Sequence, residues 1–199
     1  MSYDDFIITV CLMVDVLYKS IVTTPIRTRG FPPALSDSEV ITMQIVAECL
    51  GVDTDRQMWS YFKNHYTHHF PKIGSYPNFA KHCANLYWVT NKMMNALAIQ
   101  NKASQNSSPD LIDSFPISVC RYGRARRHKN FNGMVAFGYC ASQDEHYFGF
   151  KAHLLTNTQG QVISYTLTGA NVDDRQVVFE LTDNLQGQVF GDKGCLSKD

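Results

Sequence analysis

Leu111-Ile-Asp-Ser-Phe-Pro-Ile-Ser-Val119 is the stretch on which the reading of the fold turns. It has the length and apolar content of one β-strand, yet it carries a carboxylate, Asp113, inside the apolar run. An unpaired charge in such a place is costly unless a cation or a hydrogen-bond donor compensates it. Asp113 therefore asks for a partner, and the strand marks where the chain changes character.

Upstream of it, Asn101 to Asp110 (NKASQNSSPD) is polar and poor in apolar residues, as a connection between domains is. The expected division is a helical region over 1–105 and a second domain over 106–199. In the first region Ile7, Val10, Val14, Leu17 and Ile21 recur at three- and four-residue steps, which makes one apolar helical stripe. Gly30, Pro32 and Pro33 break the pattern, and Ser36-Asp-Ser-Glu39 reads as a capping box opening a helix through Val40, Ile41, Ile45 and Val46. Thr54 to Gln57 opens a third helix with Trp59 and Phe62 in the same way. Pro77 suits the first turn of a fourth, with Phe79, Cys83, Leu86, Met93 and Leu97 on its buried side.

Downstream, strands are expected near Met134 to Cys140, over Tyr147 to Thr156 and over Val162 to Thr168, with a hairpin loop at Asn157 to Gln161. Asn171 can cap a helix whose face carries Val177, Val178, Leu181 and Leu185, and Gly187 marks its exit into a short strand, Gln188 to Phe190. A right-handed crossover brings that last strand back parallel to an earlier one. The fold class is thus α/β in an α+β chain, an all-helical N-terminal region followed by a mixed sheet.

Gly191-Asp192-Lys-Gly194 sets a second carboxylate at the tip of the last strand, in a glycine-flanked turn. Neighbouring strands lie about 5 Å apart. Two carboxylates at that spacing repel, and a divalent cation keeps both ionised. Phosphodiester chemistry uses such a pair, because metals held about 4 Å apart activate the attacking oxygen and stabilise the leaving one. Carboxylate oxygens suit Mg²⁺ or Mn²⁺. Spacing alone leaves solvated turn residues as the competing reading.

The rest of the chain limits the choice. It is 44% hydrophobic and 12% aromatic, enough for a packed core, and its formal net charge is zero, so attraction to nucleic acid has to come from local patches. The sharpest patch is Arg121, Arg124, Arg126, Arg127 and Lys129, directly after the Asp113 strand. Phosphate contact and a solvated loop are both open for it, and for Lys151 and Lys193 phosphate contact and an ordinary exposed lysine are equally open. The first region balances its basic and acidic residues, and Asp37, Glu39 and Glu48 would sit badly against phosphate if the break at Gly30 to Pro33 served a helix-turn-helix. The six cysteines form no Cys-x-x-Cys pair and read as reduced core thiols. His65, His68 and His69 have no carboxylate or cysteine near them in sequence at ligand spacing, and a partly exposed helix end explains them. No signal peptide or membrane span is legible, so a cytoplasmic location is expected.

Several motifs in order resemble those of bacterial insertion-sequence DDE transposases: Leu111-Ile-Asp-Ser-Phe-Pro116, Tyr147-Phe-Gly-Phe-Lys-Ala-His-Leu-Leu155, Leu167-Thr-Gly-Ala-Asn-Val-Asp-Asp174 and Gly191-Asp192-Lys-Gly194. Leu35 to Thr42 and Phe70 to Tyr76 extend the resemblance into the helical half. It implies a ribonuclease-H-like catalytic domain over 106–199, with Asp113 and Asp192 as catalytic acids holding two Mg²⁺ or Mn²⁺ ions. DNA at the transposon ends is the implied partner, a homodimer the working form, and the nucleoid the place of action when DNA is bound. The helical region falls to end binding or dimer contacts. The third acid of the family, a Glu on a helix well beyond the second, has no counterpart before Asp199, which implies a C-terminally truncated, catalytically incomplete polypeptide. Two further readings stay open: a non-catalytic DNA-binding or dimerising fragment that modulates a full-length transposase, and a ribonuclease-H-like nuclease using Asp173 or Asp174 as third ligand.

Overall fold

The first helix starts where Ser2 accepts a hydrogen bond from the Asp5 N–H while the Asp5 side chain takes the Ser2 N–H, a closed capping box. This and the elements below come from a computed structural model that describes residues 2–24, 26, 27, 30–103, 109–183 and 188–191. Helix α1 runs Tyr3–Ile21 and buries Ile7, Val10 and Val14, with Leu17 and Ile21 half-buried, as the stripe predicts. Helix α2, Asp37–Cys49, opens on the predicted Ser36/Glu39 capping box. Helix α3, Asp55–His65, opens on Thr54, whose hydroxyl accepts from the Gln57 N–H. Helix α4 spans Tyr76–Ala103 and carries Pro77 in its first turn.

Two expectations shift here. Ile45 and Leu97 are exposed, and the buried line of α4 passes through Val89 and Ala98 instead. Helix α4 also continues to Ala103, into the stretch expected as a loop. The chain divides into two compact units, 1–94 and 95–199, so the division falls inside α4.

The first unit packs α1 to α4 around Val40, Ile41, Met43, Val46, Phe62, Leu86 and Val89. Asp37 is built into the same unit: its carboxylate meets the Tyr18 hydroxyl at 2.7 Å, the Arg27 guanidinium at 2.8 Å and the His82 ring at 2.6 Å. Burial would raise its pKa, but the hydrogen bonds from His82, Tyr18 and Arg27 win and hold it well below the ordinary value. With Asp37 committed inward and fifteen residues, 22–36, between α1 and α2, the three- or four-residue turn of a helix-turn-helix is not found at this break.

The second unit is a mixed sheet. Strand β1 is Asp110–Ser118, β2 Ala136–Cys140, β3 Glu145–Asn157, β4 Val162–Gly169 and β5 Val189–Gly191, with helix α5, Asp174–Leu181, between β4 and β5. Strand β3 runs antiparallel to β1 along one edge. Its other edge is shared end to end, by β2 along Glu145 to Gly149 and by β4 along Phe150 to Thr156. Strand β5 pairs parallel to β1, as the crossover predicts. The hairpin loop is held by Asn157, whose side-chain oxygen accepts from the Gln159 and Gln161 N–H groups, and Gly160 takes φ +77° in it. Helix α5 is capped by Asp173, which accepts from the Arg175 N–H, and not by the expected Asn171. The architecture is α+β, helices followed by a mixed sheet, in keeping with a ribonuclease-H-like domain. Among the described residues no helix is long and apolar enough to cross a membrane.

Candidate functional site

Side chains alternate across a strand, so the pairing register assigns each residue of the sheet to one of two faces. Along β1, Asp110, Ile112, Ser114 and Pro116 point one way, toward α5, where Ile112, Leu155, Ile163, Val177 and Leu181 form the core. Leu111, Asp113, Phe115 and Ile117 point the other way and are exposed. Asp113 sits opposite Leu154 on β3, and its Oδ1 accepts from the Ser114 N–H at 2.7 Å. It thus stands in a strand held on both edges, on the face that α5 leaves open.

The parallel register of β1 and β5 pairs Asp110 with Val189, Leu111 with Phe190 and Ile112 with Gly191. The last pair consists of the residues immediately before Asp113 and Asp192. Asp192 and Lys193 lie outside the described residues, as do Leu185, Gly187 and Cys195.

The basic patch folds into a 3₁₀ turn, Tyr122–Arg127, that buries Ala125 and leaves Arg121, Arg124, Arg126, Arg127 and Lys129 exposed. Among the described residues none of these five cations has an acidic partner within ion-pair distance. The turn lies over the Asp113 face. Tyr122 packs its ring against Phe137 (5.7 Å) and His146 (6.1 Å), and His128 packs against Phe148 (6.3 Å), residues whose register puts them on that side. From Asp113 to the end of β1 at Ser118 is about 16 Å along the strand. That spans about five base-pair steps of a duplex.

The sequence reading did not single out the aromatic group of Tyr122, Phe137, Tyr139, His146 and Phe148 beside the arginines. Its signal is the two-residue spacing of Phe137 with Tyr139 and of His146 with Phe148. Rings next to cations are what a surface that meets nucleic acid offers, since bases stack on them.

Lys151 and His153 occupy the opposite face. Lys151 is opposite Pro116 and His153 opposite Ser114. Asp174, at the start of α5, lies 3.2 Å from the Lys151 Nζ and 3.4 Å from the His153 Nδ1, and His153 Nε2 meets the Thr168 hydroxyl at 2.9 Å. Burial holds His153 below the ordinary imidazole value, against the pull of Asp174. Asp173 is engaged as helix cap and in an ion pair with Arg175 at 2.6 Å, which lowers its pKa to about 2. Lys151, Asp173 and Asp174 are thus tied into the α5 side of the sheet. The described cysteines, Cys11, Cys49, Cys83, Cys120 and Cys140, are free thiols.

No curated protein and no solved structure matches the chain. Residues 102–199 match the family of transposase DDE domains. That match takes in every strand of the sheet, the exposed aspartate and the basic turn beside it, and the second half of this chain is therefore the DDE domain of an insertion-sequence transposase.

Proposed function

We propose that the chain acts in DNA transposition through Asp113 and Asp192 as paired metal-holding carboxylates, with Arg121, Arg124, Arg126, Arg127 and Lys129 gripping phosphates on the same sheet face. The observation that carries this reading is the parallel register ending at Ile112 and Gly191, one residue before each aspartate. The donor set fits a hard divalent ion, since Asp113 presents an exposed carboxylate that accepts only from its neighbour's N–H among the described contacts. Bound there, Mg²⁺ or Mn²⁺ would activate the attacking oxygen and stabilise the leaving one.

The chain's own residues do the rest. The carboxylates position the ions, the arginines hold the backbone in bidentate forks, and the rings beside them stack on bases displaced from the duplex. Lys193 joins the phosphate contacts by its place next to Asp192. Lys151 has a structural part instead, because it neutralises Asp174. The same geometry argues against the nuclease reading: Asp174 faces away from Asp113, and Asp173 is committed to its cap. The transposon ends as DNA partner, a homodimer as working form and the nucleoid as location follow from family membership and belong to this proposal.

Manganese titration followed by electron paramagnetic resonance tests it without requiring turnover. Asp113→Asn and Asp192→Asn each lose at least tenfold in Mn²⁺ affinity, while Asp174→Asn keeps that of the parent. Retained affinity in Asp113→Asn would overturn the assignment.

A further inference from the structure

The first unit brings together three metal-ligating side chains that belong to no part of the DDE site. Asp4 lies in the first turn of α1, and His68 and His69 follow α3 in the turn that leads to Phe70. The Asp4 Oδ1 is 3.0 Å from the His68 Nε2 and 2.7 Å from the His69 Nε2, across 64 and 65 residues of sequence. All three ligand atoms lie within 4.8 Å of one another.

Both arms are anchored to one core. Ile7, one turn after Asp4, is buried, and so is Phe70, which meets Phe62 edge-on at 5.3 Å. The His69 and Phe70 N–H groups both donate to the Tyr66 carbonyl, which fixes the turn, and the Tyr66 ring stacks on His69 at 19°. The three side chains are therefore delivered by elements that packing holds in place.

We infer that Asp4, His68 and His69 form a binding site for a single transition-metal cation of the zinc class. Two imidazole nitrogens converging on one carboxylate oxygen are a borderline-soft donor set that suits Zn²⁺, Co²⁺ or Ni²⁺ and not Mg²⁺ or Ca²⁺. Bonds of about 2.0–2.1 Å in a tetrahedron put ligand atoms about 3.3 Å apart. The two carboxylate–imidazole separations, 3.0 and 2.7 Å, lie just below that ligand spacing, and all three atoms stay within 4.8 Å, so rotation of the exposed side chains brings them to it. His68 and Asp4 are 60% and 54% exposed and His69 is 21% exposed, so the ion enters from solvent and its fourth position is open to water. An ion there clamps the start of α1 to the turn after α3.

Cobalt titration of the full chain, in excess Mg²⁺ to occupy the carboxylate site, tests this at about pH 7.5, above the ordinary imidazole range. One equivalent of Co²⁺ gives the visible d–d bands of a four-coordinate nitrogen and oxygen site, Zn²⁺ displaces it, and Zn²⁺ raises the Tm. Asp113→Asn and His65→Gln leave these signals intact. Asp4→Asn, His68→Gln and His69→Gln each weaken binding at least tenfold. His68, being exposed, provides the variant least exposed to a folding defect. The assignment is overturned by an absence of d–d bands, by parental affinity in these three variants, or by a charge-transfer band showing that a cysteine thiolate holds the cobalt.

Discussion

The arginines of the 3₁₀ turn have no acidic partner among the described residues, and the proposed partner of such a surface is a phosphate backbone. Each phosphate contact releases counterions, so affinity falls with salt by a slope of about 0.9 per contact for duplex DNA. Arg124→Gln with Arg126→Gln should lower that slope by about 2, read by fluorescence anisotropy across a salt series. Lys151→Gln should leave the slope unchanged, because Lys151 is paired with Asp174 on the other side of the sheet. Asp37 makes a separate case. Its folded pKa lies below the ordinary value of 3.8, so its stabilisation is present above that pH and is lost as pH falls through the folded value. Removing it as Asp37→Ala strands Arg27 and His82 and should cost about 3 kcal/mol near neutrality, measured by urea unfolding. The difference between variant and parent should shrink as the pH is taken toward about 2.

Strand pairing sets limits that single side chains do not. At Gly149 an added Cβ would stand 2.0 Å from the Ile117 carbonyl oxygen, a backbone atom that cannot step aside. Gly149→Ala should therefore destabilise the sheet by about 1–3 kcal/mol or shift the β1–β3 register, visible as a lowered urea midpoint. The sequence carried much at this level. The spacing of Ile7, Val10 and Val14 made α1 legible, and the Ser36/Glu39 and Thr54/Gln57 pairs located the starts of α2 and α3, because caps are local chemistry. Asn171 failed as a cap since Asp173, two residues on, offers the same oxygen, and the position of the helix against β3 and β4 decides between them. The sequence leaves phosphate contact open for Lys151 because its side of the sheet follows from the pairing with Pro116, a long-range register that no local pattern contains. The carboxylate that meets His68 and His69 was invisible for the same reason, lying more than sixty residues away.

The two compact units have separate cores and separate acid sensitivities. Both tryptophans, Trp59 and Trp88, belong to the first unit, so their fluorescence reports it alone. In the second unit His153 is held below the ordinary value of 6.5. Its neutral form is favoured in the fold, and the stabilisation that goes with it is lost as pH falls below 6.5 toward the folded value. On acidification the loss of strand signal in circular dichroism should thus begin at higher pH than the change in tryptophan fluorescence. Coincident transitions would show that the units unfold together. The second unit also exposes Leu111, Phe115, Leu167 and Phe190, each between 45% and 55% accessible. Such a face invites association, and Phe115→Ser should reduce binding of a hydrophobic dye.

The two-sidedness of β1 has a consequence for how the gene can change. Counting from Asp113, every even step lands on the exposed side and every odd step on the α5 side, where Lys151 already serves Asp174. A one-codon insertion or deletion between Asp110 and Asp113 would keep the aspartate itself and still send its carboxylate into the core. A two-codon change would keep it on its side but slide it by about 7 Å, away from the residue that follows Gly191. Exposed positions such as Leu111 and Ile117 can change their side chains, but the arithmetic of the strand is locked.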